Sequence, residues 1–156
     1  MPSLILAVLL AIAPPRLAGS VPQIGRFPIL SALGTEVGTC KISSHTPALS
    51  RIGVDRIVMF NVESEPARYV SAATSRSGAV LMVTVFYSIN AGRSRREGES
   101  VNATFAPNGT LLSGERAYTT TGTPATRAED RRSPLGADDA KRALALGKSV
   151  VKRCAR

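Results

Sequence analysis

The chain has no tryptophan, only three tyrosines and four phenylalanines, a single histidine and two cysteines. Each scarcity excludes something. Single-stranded nucleic acids are gripped by exposed rings on which bases stack. Most of the few rings here fall in strand-like apolar runs, where a core needs them, which argues against nucleic acid as a partner. Structural zinc sites take four cysteines, or two cysteines and two histidines. Cys40, Cys154 and His45 can build neither, and no metal or cofactor is implied. No Gly-x-Ser-x-Gly elbow occurs. After residue 20 no apolar run is long enough to cross a bilayer as a helix.

The one long uncharged apolar run, Ser3 to Ala13, stands at the N-terminus. It is too short to span a membrane and fits the hydrophobic part of a secretory signal. Ala18-Gly19-Ser20 offers a cleavage site after Ser20, although the leader lacks a basic residue before the run. We therefore expect a signal peptide over 1–20 and a secreted or periplasmic protein. An extended segment over 21–53 and an α+β domain over 54–156 follow. Cleavage removes one basic residue, Arg16, and lowers the net charge from +9 to +8. In an oxidising compartment Cys40 and Cys154 read as one disulfide joining the two ends of the mature chain.

Apolar patterning predicts about five antiparallel strands packed by a C-terminal amphipathic helix. Residues 21–39, broken by Pro22, Gly25, Pro28, Gly34 and Gly38, read as extended, with at most a short strand at Phe27 to Leu30. Residues 43–53 read as a loop or one helical turn. Strands are expected at Ile57 to Val62, Ala67 to Thr74, Ala79 to Ile89, Glu99 to Ala106 and Thr110 to Tyr118. The third is apolar on both alternating faces, as in a central strand covered on both sides. In the fourth, Val101, Ala103 and Phe105 share a face. Asn90 to Gly98 reads as a charged loop, and 119–135 as an irregular exposed connection. Ala140, Ala143, Leu144, Gly147, Val151 and Cys154 form one stripe of a helix over about 137–153. Asp138 and Asp139 near its start and Lys152 and Arg153 near its end suit the helix dipole.

Short catalytic signatures fail on inspection. Gly147-Lys148-Ser149 matches the end of a phosphate-binding loop, but the first glycine is due at position 142, which is Arg142, and the match lies within a helical pattern. Ser149-Val150-Val151-Lys152 has its serine near a helix end rather than at a start. His45 offers a base for Ser43 or Ser50, yet a lone loop histidine reads more simply as a surface residue. The carboxylate pairs Glu63/Glu65 and Glu97/Glu99 read as solvated loop charges.

The basic clusters remain. Guanidinium groups grip carboxylates and phosphates through paired hydrogen bonds. Arg93, Arg95 and Arg96 form one patch. Residues 116–156, with ten Lys or Arg against four acids, form the other, and Arg127, Arg131, Arg132, Lys148 and Lys152 are its candidates. These eight are the candidate anion-binding residues. The partners they suggest are an anionic envelope polymer, lipid head groups or another envelope protein, bound by a non-enzymatic domain. A small periplasmic hydrolase with a site assembled from scattered residues is the alternative.

Overall fold

The computed structural model describes residues 27–44, 46–92, 95–122 and 131–156. The leader and its cleavage site lie outside them. The elements run β1 (Thr39–Ser44), α1 (Pro47–Arg51), β2 (Arg56–Val62), β3 (Ala67–Thr74), β4 (Val80–Gly92), β5 (Arg95–Phe105), β6 (Leu111–Gly122), β7 (Arg131–Pro134) and α2 (Ala137–Cys154). The strands form one antiparallel sheet in sequence order, each paired with the next. With α2 they make an α+β fold.

The sheet has seven strands, not five. The two extra strands are the edges. β1, Thr-Cys-Lys-Ile-Ser-Ser, is almost wholly exposed, and β7, Arg-Arg-Ser-Pro, is exposed except at its serine. Edge strands of this composition carry no hydrophobic pattern; their neighbours' backbone groups hold them. Residues 90–92 and 95–98 of the expected charged loop are instead the continuation of β4 and β5, which pair out to Gly92 and Arg95; 93–94 lie outside the described residues. Likewise β6 runs on to Gly122, so 119–122 are strand rather than connection. Phe27 to Leu30 forms a turn closed by the Ser31 amide donating to the Pro28 carbonyl at 3.0 Å, not a strand. The single helical turn expected in 43–53 is α1, whose Thr46 hydroxyl caps the Leu49 amide.

One face of the sheet is a core. Val58, Phe60, Val70, Ala72, Val83, Val85, Val101, Ala103 and Phe105 point inward under α2. The helix meets them with Ala140, Ala143, Leu146, Gly147, Val150 and Cys154. Leu146 and Val150 belong at the centre of the stripe, and Leu144 and Val151 at its margin, a small rotation from the expected face. Burying a side chain such as Val150 stabilises the fold by about 1.5–3 kcal/mol.

The opposite face of β4 is not covered: Met82 and Phe86 are each 40% exposed there. A single helix covers one face, so an apolar pattern on both faces overstated the burial. Cys40 of β1 and Cys154 of α2 form a disulfide, tying the sheet edge to the helix end across 114 residues. Closing a loop of that size stabilises the fold by about 4–5 kcal/mol in the chain-entropy account.

The segment Phe27 to Glu36 lies as a strap over the part of the inner face that α2 leaves open. Its Phe27, Ile29, Leu30 and Leu33 are buried. Phe27 stacks on Tyr118 at 6.4 Å and tilts against Tyr87 at 5.6 Å.

Candidate anion-binding site

Beneath the strap the inner face is polar. Arg68 of β3 is buried and donates to the Ser31 carbonyl at 2.7 Å, the Ser31 hydroxyl at 2.9 Å, the Ala32 carbonyl at 3.3 Å and Glu36 at 2.7 Å. Arg116 of β6 donates to the wholly buried Glu99 at 2.7 Å, to Asp139 of α2 at 3.1 Å and to the Phe27 carbonyl at 3.1 Å. Arg153 of α2 donates to the Gly34 carbonyl at 3.2 Å and lies 4.9 Å from the centre of the Phe60 ring. Three arginines from three elements therefore hold one strap by its carbonyl oxygens. Burial pushes the Tyr87 hydroxyl above its ordinary pKa; the Arg68 guanidinium opposes this and Glu36 adds to it.

Glu99 is thus no solvated loop charge, as the carboxylate pair had suggested. The alternation that puts Val101, Ala103 and Phe105 inward carries one step further to Glu99, and this was the signal for its burial. Arg68 was signalled in the same way by Val70 and Ala72.

The eight candidate cations fall on separate surfaces. Arg93 and Arg127 lie outside the described residues, and Arg95 is described only as part of β5. Arg96 sits on the uncovered sheet face, where it pairs with Glu65 at 3.0 Å and bonds Asn90 and Ser88. Arg131 and Arg132 are exposed on edge strand β7, with Arg132 at 3.6 Å from Glu115. Lys148 and Lys152 are exposed on α2 and four residues apart, so they are neighbours on its surface.

Around that pair lies a larger group. Helical spacing sets Lys141, Lys148 and Lys152 along one line, flanked by Arg142 and Arg156 at the helix end. All five are exposed, and none has an ion pair or side-chain hydrogen bond among the described residues. No acidic residue follows Asp139 in the sequence. Lys141, Arg142 and Arg156 were not singled out from sequence, yet the same period that gave the buried stripe places Lys141 and Arg142 away from it, and Arg156 follows just past the helix end.

Two adjoining clefts run between α2 and the strap, sharing Ala32 and Ser149. The first, about 640 Å³, is lined by Phe27, Leu30, Leu146, Arg116 and Arg142 among others. The second, about 320 Å³, is lined by Ala32, Leu33, Gly34, Ser149, Lys152, Arg153 and Arg156. A further cleft of about 630 Å³, between Ile52, Met82, Phe105 and Leu112, has no charged residue in its lining. Gly147 does not begin a phosphate loop: it lies inside α2, packed on Val83 and Val80. No helix among the described residues is long and apolar enough to cross a membrane. No family model, curated protein or solved structure matches the chain.

Proposed function

We propose that this chain is an exported, non-enzymatic domain that binds an anionic component of the cell envelope through the solvent face of α2. The observation that carries this reading is the set of exposed cations Lys141, Arg142, Lys148 and Lys152 on that face, with Arg156 just past the helix end; none has a partner among the described residues, and no carboxylate side chain follows Asp139. A charge already matched within the protein, such as Arg96 with Glu65, has little left to offer a ligand. Export is supported by the apolar leader and by the Cys40–Cys154 bridge, since disulfides persist in oxidising compartments.

Near an anionic bilayer each Lys or Arg contributes about 1 kcal/mol, screened within a Debye length of about 10 Å at 0.1 M salt. Retention on phosphatidylglycerol vesicles should therefore fall steeply with added salt. It should drop further in Lys141→Glu/Lys148→Glu. Arg51→Glu/Arg76→Glu makes the same change in net charge away from α2 and should keep most of the retention. Equal losses in the two variants, or retention indifferent to salt, count against the reading. Docking on another envelope protein draws support from the apolar cleft at Met82 and Leu112, and it gains if vesicle retention is absent.

A further inference from the structure

We infer that the cleft at the C-terminal end of α2 binds a phosphate group, which rests on the anion-binding reading above and narrows it to one place and one chemistry. Three cationic side chains, Lys152, Arg153 and Arg156, line this cleft, together with Ser149, whose hydroxyl donates to the Ala145 carbonyl at 3.0 Å. No carboxylate side chain is in its lining. The end of a helix carries about half a negative charge. Even with an α-carboxylate on Arg156 counted as well, the three cations outweigh both.

A second observation lies at Arg153, one of the residues lining this cleft. Buried donors in folded proteins are nearly always bonded. Among the described residues only two buried side-chain nitrogens have no partner: Arg68 Nε, in the guanidinium whose other nitrogens bind the strap, and Arg153 Nη1. Arg153 spends its other terminal nitrogen on the Gly34 carbonyl at 3.2 Å. Its guanidinium is held in place by that bond and by the Phe60 ring, with one donor unused. A fixed guanidinium backed by Lys152 and Arg156 matches a phosphate, whose oxygens accept several charge-assisted bonds at once. A lone carboxylate offers only two oxygens for the same donors.

The test is a titration of the full mature chain with inorganic phosphate in low-salt chloride buffer, followed by amide chemical shifts. Saturable shifts confined to Gly34, Ser149 and 152–156 are expected. Lys152→Glu/Arg156→Glu should weaken binding at least about tenfold, and Arg51→Glu/Arg76→Glu should leave it within about twofold. Both sites are exposed, so unchanged thermal unfolding will show that the first variant still folds. Phosphatidylglycerol vesicles that shift the same amides and are displaced by phosphate identify a headgroup as the source. Phosphate saturation without such competition identifies a free phosphate group. Shifts spread evenly along α2, or no saturation, overturn the inference; vesicle retention that persists in that case leaves the broader reading standing.

Discussion

The layer under the strap and the solvent face of α2 are both built from basic side chains, and they use them in opposite ways. Arg68 and Arg116 are surrounded: between them they reach three carbonyl oxygens, a hydroxyl and three carboxylates. Lys141, Arg142, Lys148, Lys152 and Arg156 reach no such partner among the described residues. A composition rich in arginine therefore has two meanings in one molecule. Under the strap a cation satisfies backbone groups that a loop would otherwise leave unmet. On α2 it is left to solvent and to whatever anion arrives. Arg153 stands between the two, half engaged by the strap and half unused.

The difference breaks most visibly at Arg116. Replacing it with leucine deprives the wholly buried Glu99 of its guanidinium and frees the Phe27 carbonyl. Breaking a buried pair from one side costs about 3–5 kcal/mol. Urea unfolding of Arg116→Leu should show a loss of that size. The double replacement Glu99→Leu/Arg116→Leu should recover much of it, because the buried carboxylate is removed together with its guanidinium. A loss below about 1 kcal/mol in the single variant would mean that the layer is only a wet surface.

A middle-sized effect is expected on the inner side of α2. A Cβ on Gly147 would lie 2.6 Å from Val83 Cγ2 and 3.3 Å from Val80 Cγ1. Overpacking of this kind costs about 1–3 kcal/mol, against about 1 kcal/mol gained from alanine's better helix propensity. Gly147→Ala should come out destabilised by about 1 kcal/mol in urea. A net gain would show that the helix can lift from the sheet at no cost.

The sheet's middle and the helix were legible because burial writes a period into the sequence: two for Val101, Ala103 and Phe105, three and four for Ala140, Ala143 and Gly147; the Cys40–Cys154 bridge was legible from an even pair of cysteines behind an export signal. The edges were not. Lys41 and Arg132 sit in edge strands that pair by backbone and bury almost none of their side chains, which leaves no hydrophobic record. The strap was hidden for a different reason. Its anchor Arg68 and the Glu99 that binds its anchor Arg116 are charged; Arg68 was passed over and Glu99 was read as a solvated loop charge, although both stand on the inward beat of their strands. The cation face was half visible in Lys148 and Lys152, and applying the helical period to every cation, not only to apolar residues, brings in Lys141 and Arg142.

The smallest effect sharpens the comparison most. Lys148 and Lys152 are like charges four residues apart, a placement that costs a helix about 0.2–0.5 kcal/mol. Lys148→Glu replaces this repulsion with an acid-to-base pair in its better order, itself worth about 0.2–0.5 kcal/mol. The variant should therefore be slightly more stable than the parent in urea at low salt, while its retention on phosphatidylglycerol vesicles falls. Opposite signs for stability and binding are what an outward-facing cation predicts, since a helix that is steadier without the charge does not hold it for folding. Arg116 predicts the reverse, a charge whose loss is felt in folding first. If Lys148→Glu destabilised the chain, the lysine would have a structural partner, and the division between the strap layer and the helix face would fail at its simplest point.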